Sequence, residues 1–560
     1  MKKTEFTVLD WVVMVVYLIA VLIIPLVFYL QARRNKNFDS AKYLAAKGEK
    51  VPSVVVGLSI WATGLSSLTF LATPGLAFKT GWMWAFGQLT ILLITPYLIK
   101  IIIPFYRRIK GSTGYQYLEN RFNYLIRFIA SVSFILFHIF RIAIVLYIPT
   151  LTLSLFIDIN IYLLMFIIGL VVVIGTFLGG FKGILWTDAI QGFVLFAGII
   201  LIVIFGLALT DFSVAKIQNV LSIKQFEIKL ASGGVIIIFL SSYVQNMFSY
   251  TASQDIVQRY KAGKTISTAY KSIYVNVILV AITILVFYAA GSVLYSYYSS
   301  LGYNVDDPKI IDSIVGRPNS PNNTLVSYFI VTSLPMGISG LIVAAVFAAS
   351  QSTISSSLNS LVTTLITDVL EKKWKIKDKF KLVLSKIFIC IFGVLGVLVA
   401  ITIHVSGINN LISYFISIVG LLGGPLAGAF FLGLFTKKTN ATGVMIGIFI
   451  SFAITLPIWV LATFKFIVFA GEYIALVSFA IFMIVTYPAS LLFKPKKETN
   501  LMNLTIWTKT KEFVQLEKLE KEVAKLERKA KKNKEISVQL EQKMQQIAQL
   551  DKIVFEQTNM

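Results

Sequence analysis

The chain has 560 residues, 57% of them hydrophobic and only 14% charged, with a mean hydropathy of +0.79, which excludes a soluble domain and requires a polytopic membrane protein. One cysteine, Cys390, excludes a disulfide framework and a Cys-based metal site, and two histidines, His138 and His404, argue against zinc. The net charge of +24 is spread over loops and a tail, so membrane topology accounts for it better than nucleic acid does.

Apolar runs near 20 residues predict thirteen spans, roughly 8–30, 53–78, 81–103, 124–152, 160–180, 184–210, 233–256, 271–298, 327–365, 383–405, 409–435, 441–462 and 468–493. The first run, Val8 to Leu30, exceeds a signal peptide's core and lacks a small-residue cleavage site, so it reads as a retained helix. Alternate loops carry Arg33, Arg34, Lys36, Lys42, Lys47 and Lys50; Arg107, Arg108, Lys110 and Arg121; Arg259, Lys261, Lys264 and Lys271; and a dense run from Lys372 to Lys386. The opposite loops hold only Lys216, Lys224, Lys229, Lys309, Arg317 and Lys465. The bias makes the first set cytoplasmic, with the N-terminus outside and the C-terminal tail in the cytoplasm of a plasma-membrane protein. The expected divisions are a first helix and loop (1–52), a transport core (53–435), two further helices (436–493) and a basic tail (494–560).

Span 53–78 carries Gly57-Leu58-Ser59-Ile60-Trp61-Ala62-Thr63-Gly64-Leu65-Ser66-Ser67-Leu68-Thr69, a polar, glycine-bearing patch at mid-membrane followed by Pro74-Gly75. Freed backbone groups at that depth are tolerated only against protein or a water-filled cavity, where carbonyls become ligands. Span 233–256 holds a similar interruption, Ser241-Ser242-Tyr243-Val244-Gln245-Asn246. Two interrupted helices, each opening a five-helix set (53–210 and 233–435), predict an all-α, five-plus-five inverted-repeat transporter.

Three intramembrane charges or near-charges stand out. Arg141 sits mid-way along its span, where insertion costs about 2.5–3.5 kcal/mol, so something must compensate it, either a substrate or a structural partner. His138, one turn away, reads as a packing residue. Asp188, near the start of its span, either caps that helix, pairs with Lys182 or completes a cation site. The run from Ala348 to Ser360 then places seven hydroxyls in a span; Ala349, Ser352, Thr353 and Ser356 share one helical face, with Ser355 beside them. Close helix packing explains such a face, and so does a dehydrated sodium site built from hydroxyl and carbonyl oxygens. No nucleophile–base constellation or metal-ligand set points to an enzyme.

Four motifs resemble the sodium:solute symporter family. They are Gly179-Gly180-Phe181-Lys182 with Trp186-Thr187-Asp188 and Gln191; Tyr117 to Phe122; Asp255-Ile256-Val257-Gln258-Arg259 with Ala262; and Ala348-Ala349 through Leu358-Asn359-Ser360. The resemblance spans about residues 8–493 and implies the five-plus-five fold of the amino-acid transporter type. It also implies a main sodium site from carbonyls of Ala62, Leu65 and Ala349 with hydroxyls of Ser352 and Thr353. A second site, found in some members, would use Asp188, Ser352, Ser355 and Ser356. Within the family the chain looks most like bacterial sodium/sialic acid symporters, departing at Gly64 and Trp84. That resemblance puts the substrate on Ser66, Thr69, Gln88 and Arg141, with Arg141 on its carboxylate, and implies import of N-acetylneuraminic acid by alternating access with two sodium ions. A planar guanidinium fork suits a carboxylate without the analogy. The rivals are the same machine carrying proline, a sugar or a vitamin acid, and a transporter-like sensor.

After Leu492 the tail turns polar. Leu516, Leu519, Val523, Leu526 and Ala530, and then Leu540, Met544 and Ile547, keep 3-4 spacing, which predicts a coiled-coil pairing, self-association or an intramolecular hairpin; contact with an anionic membrane surface is the alternative.

Overall fold

The structure is a computed structural model of the whole chain, and it describes all residues except 1–5, 35–39, 46–50, 110, 155–158, 211–233, 264, 308, 317–319, 321, 409–410, 494–499, 530–533 and 559–560. Of the charges used for topology, Lys36, Lys47, Lys50, Lys110, Lys264, Lys216, Lys224, Lys229 and Arg317 lie outside the described residues, as does Ala530 of the tail repeat. The described residues are all-helical, with no strand.

The principal helices are α1 (Val8–Arg34), α2 (Ser53–Gly64), α3 (Ser67–Thr80), α4 (Tyr124–Ser154), α5 (Ile161–Ala208), α6 (Val235–Met247), α7 (Gln254–Ala262), α8 (Ile266–Ser300), α9 (Ile338–Thr364), α10 (Asp378–Val405), α11 (Leu411–Phe435), α12 (Ala441–Thr463), α13 (Gly471–Leu492), α14 (Lys511–Lys529) and α15 (Lys534–Thr558). Eleven described helices are long and apolar enough to cross a membrane, or twelve with the bent pair α2–α3. Thirteen were expected, and the difference is α5. At about 1.5 Å per residue its 48 residues run to more than twice a bilayer core. It turns at Gly180 (φ 54°, ψ −174°), between the two spans that the sequence separated.

The break in α2–α3 falls where the polar patch predicts it. Leu65 and Ser66 are extended, and the two halves meet at 62°. The second interruption is displaced from its expected place. Residues 241–247 stay helical, a π-helical turn follows at Phe248–Ala252, and the chain leaves the helix at Ser253 (φ −78°, ψ 119°) before α7. Polar side chains at 241–246 are compatible with a helix that faces protein, whereas the wide turn and Ser253 free the backbone. The expected span 327–365 is also divided, into Asn322–Ser333 and α9.

α9 is the centre of the bundle. Nearly every residue from Ser339 to Thr364 is buried, so its lack of an amphipathic face is that of a helix enclosed on all sides. It packs against α1, α2, α4 and α5. Asp10 of α1 accepts backbone N–H bonds from Gly337 (2.8 Å) and Gly340 (2.9 Å) at its N-terminus, where a carboxylate meets the positive end of the helix dipole.

On the side expected to be cytoplasmic, three arginines counted as loop charges are buried. Arg108 is 1% exposed, Arg121 2% and Arg259 0%. Arg108 and Arg259 follow an apolar run and Arg121 precedes one, so a hydropathy window places each outside the protein when it lies inside. Arg121 donates to the carbonyls of Gly433 (3.0 Å) and Thr436 (2.8 Å). The Tyr117 hydroxyl donates to the Leu504 carbonyl (3.0 Å), and Arg127 pairs with Asp368 and Glu119. The tail is a helical hairpin docked on this end. Ile506 donates its backbone N–H to Leu434 (3.0 Å), Arg108 pairs with Glu520 (2.7 Å), and Phe513, Leu516 and Val554 form a small core of their own.

Candidate ion and substrate site

The site grows from the break between α2 and α3. Because the helix stops there, the Thr63 carbonyl is available to side chains, and it accepts from the Thr353 hydroxyl of α9 (3.3 Å) and from an Arg141 Nη of α4 (2.7 Å). Thr63 lies between Ala62 and Leu65, so this contact brings the α9 members of the expected main sodium site against its α2 members. Ala62, Leu65, Ala349, Ser352 and Thr353 are all buried. Hydroxyl and carbonyl oxygens with no water around them suit a hard cation.

Asp188 of α5 is fully buried beside this face. Its Oδ1 accepts from the Ser352 hydroxyl (2.9 Å); its Oδ2 accepts from Ser59 (2.7 Å), Ser356 (3.2 Å) and Thr63 (3.3 Å). Three of the four residues expected at a second sodium site therefore converge. Ser355 does not: its hydroxyl donates to the Ser352 carbonyl (3.2 Å), and it lines a separate small void with Thr187 and Gln191. Asp188 is no helix cap, and its charge partner is Arg259 rather than Lys182, whose ammonium lies over the Phe28 ring. The Arg259 guanidinium bonds Asp188 (2.8 Å), Ser356 (2.6 Å), Thr63 (2.8 Å) and Ser59 (2.9 Å).

Arg141 is compensated by Asp255 of α7, with Nη1 to Oδ2 at 2.7 Å. Asp255 is itself held by the Ser253 hydroxyl (2.5 Å) and the Ile256 N–H (3.0 Å). His138 packs on Phe134 with ring centroids 4.1 Å apart, as expected of a core residue. Arg141 and Asp255 edge a cavity of about 160 Å³ whose lining includes Gly64, Gln245, Tyr250 and Phe415. A Cβ at Gly64 would meet nothing within 4 Å, so the space beside this lining residue is open. The Gln245 side-chain nitrogen is buried without a hydrogen-bond partner.

The other expected substrate residues do not line that cavity. Ser66 caps α3, accepting from the Thr69 N–H (3.4 Å), and lies 3.5 Å from the Thr69 hydroxyl; Gln88 donates to the Tyr288 hydroxyl (3.5 Å). Thr63, Asp255, Arg259 and Gln245 were missed by sequence reasoning. The available signal was the i, i+4 spacing of Asp255 and Arg259 inside a family motif.

The sequence profile of the sodium:solute symporter family matches residues 43–451. The chain belongs to the sodium:solute symporter family. Among its symporter relatives, the sodium/sialic acid symporter NanT of Aliivibrio fischeri is 34% identical over 468 residues, 82% of this chain and 89% of that one. The sodium/sialic acid symporter SiaT of Proteus mirabilis is 34% identical over 460 residues, 80% of this chain and 89% of that one. A solved structure of a substrate-bound, outward-open Na+-coupled sialic acid symporter matches with a TM-score of 0.77 and 32% identity, covering 88% of this chain and all of that one. This symporter is thus a sodium-coupled transporter with the five-plus-five inverted-repeat fold.

Proposed function

We propose that this symporter imports N-acetylneuraminic acid across the cell membrane by alternating access, with sodium moving down its gradient. The observation that carries the reading is Arg141. It is a guanidinium within the membrane-spanning bundle, 11% exposed and at the edge of a cavity lined also by Gln245, whose side-chain nitrogen is unpartnered. Such a fork selects a carboxylate, and amide and hydroxyl groups select a polyhydroxylated acid. Relatives described as sodium/sialic acid symporters support the same cargo. Ser66, Thr69 and Gln88 are proposed to meet the sugar. Ala62, Leu65, Ala349, Ser352 and Thr353 would hold one sodium ion, and Asp188, Ser352 and Ser356 a second, with Ser355 joining after a rotamer change. The remaining loop charges favour a cytoplasmic C-terminus.

The test is binding of sialic acid against its methyl ester, which keeps the sugar and removes the charge. The wild type is expected to prefer the free acid strongly, and Arg141→Gln to lose that preference. Equal preference in both proteins would reduce Arg141 to a structural residue.

A further inference from the structure

Besides Lys261, the short helix α7 bears Asp255 and Arg259 one turn apart, and each of these two engages one of the two places where a transported ion is proposed to bind. We propose that Asp255 and Arg259 are two tethered counter-charges that compete with the cargo: Asp255 with the substrate carboxylate for Arg141, and Arg259 with a sodium ion for Asp188. This inference rests on the reading of Arg141 and Asp188 given above.

The geometry makes the competition direct. A carboxylate that docks on Arg141 through two parallel bonds needs at least one terminal nitrogen, and both are engaged, Nη1 by Asp255 (2.7 Å) and Nη2 by the Thr63 carbonyl (2.7 Å). A second carboxylate arriving at that fork meets the charge of Asp255 in a poorly solvated cavity, and in this scheme the substrate displaces Asp255. At Asp188 the guanidinium of Arg259 supplies one positive charge at 2.8 Å and also bonds Thr63 and Ser356, the latter a hydroxyl proposed for the second sodium ion. A second cation at contact distance in a fully buried site is repelled, so sodium displaces Arg259.

The two exchanges are linked because they share one helix and one residue. Arg259 also donates to the Asp255 backbone carbonyl, and Thr63 receives Arg141 on its carbonyl and Arg259 on its hydroxyl. Releasing Asp255 loosens α7 and weakens Arg259's hold on Asp188; sodium at Asp188 in turn frees Asp255 from Arg141. Each ligand thereby favours the other, and the effect is reciprocal. Asp255 and Arg259 are positioning residues in this scheme and travel with neither ion.

The test uses the purified full-length protein. Binding of N-acetylneuraminate is measured in choline and in sodium, giving the factor by which sodium tightens it. If the internal pair is closed in about nine molecules of ten, Asp255→Asn tightens binding in choline about tenfold and lowers the sodium factor correspondingly. Arg259→Gln is expected to shift the sodium titration in the absence of substrate to lower concentration, whereas Asp255→Glu restores the wild-type sodium factor. Weaker binding of Asp255→Asn in choline, or an unchanged sodium factor, overturns the proposal, because a merely structural role weakens binding without uncoupling it. In the wild type, sodium with sialate is expected to speed amide exchange across 254–262; protection there overturns the proposal even if the variants fail to fold. A wild type with no sodium-promoted sialate binding overturns the cargo reading first, and this one with it.

Discussion

Ser352 and Thr353 are neighbours on α9 that look to different partners, Asp188 and the Thr63 carbonyl. Both are fully buried, so neither hydroxyl is replaced by water when removed. Thr353→Ala and Ser352→Ala are each expected to raise the sodium concentration for half-maximal uptake roughly tenfold or more, since one bond to a charge contributes about 1.5–3 kcal/mol. A sodium titration of uptake checks this. Asp188→Asn is expected to lower the charge moved per substrate, and an unchanged ratio with an unchanged Hill coefficient would mean that Asp188 holds no ion. At this scale the sequence exposes a residue's anomaly but not its partner. Arg141 is conspicuous because a guanidinium inside an apolar run is costly, yet Asp255 answers it from a helix 114 positions away. Arg259 was misplaced as a loop charge because a hydropathy window ends where α7 begins, and only packing shows that α7 is enclosed.

Among the elements, the break at 64–67 was legible because Gly57, Gly64 and hydroxyls at membrane depth, followed by Pro74-Gly75, weaken a helix and free backbone groups that must face protein. The break at Ser253 was not, because 241–246 carries the more polar side chains and hydropathy cannot separate a polar helix face from an interrupted helix. The turn at Gly180 shows what such a position requires. Its φ of 54° with an extended ψ is open essentially to glycine, and a Cβ there would lie 2.7 Å from the Tyr43 ring. Gly180→Ala is therefore expected to cost about 1–3 kcal/mol from the backbone alone, with the ring contact adding to it. Thermal unfolding in detergent measures it, and an unchanged midpoint would show that the turn relaxes freely.

For the whole molecule, membrane class, family and the order of the spans were visible in composition and motifs, while the docking of the tail was not. Heptad spacing states that α14 has an apolar stripe and leaves open what covers it; here Phe513 also packs on Phe105, and Arg108 reaches Glu520. A chain ending near Lys497 is expected to melt at lower temperature, since Arg108 loses its carboxylate. Uptake per folded molecule is expected to persist, because no described tail residue lines the cavity at Arg141. Burial holds the Glu520 and Asp551 carboxyls above their ordinary range, with Arg108 opposing. The docked tail then binds protons more readily than a released one, so docking strengthens as pH falls towards the ordinary carboxylate range and weakens as pH rises. Amide exchange across α14, corrected for intrinsic rate, is expected to be slower at about pH 5.5 than at about pH 7.5.

The central claim is sodium-driven import of a sugar acid. With the proposed two sodium ions per monoanion, one net charge moves inward, about 2.3 kcal/mol per 100 mV, and a tenfold sodium gradient adds about 1.4 kcal/mol per ion, enough for accumulation of several thousandfold at the limit. The most direct measurement is uptake of labelled N-acetylneuraminic acid into liposomes holding the purified protein, with an inward sodium gradient and with sodium replaced by choline. The account predicts concentrative uptake in sodium that is stimulated by an inside-negative potential and lost in choline; equal uptake in choline, or under a proton gradient alone, would contradict it.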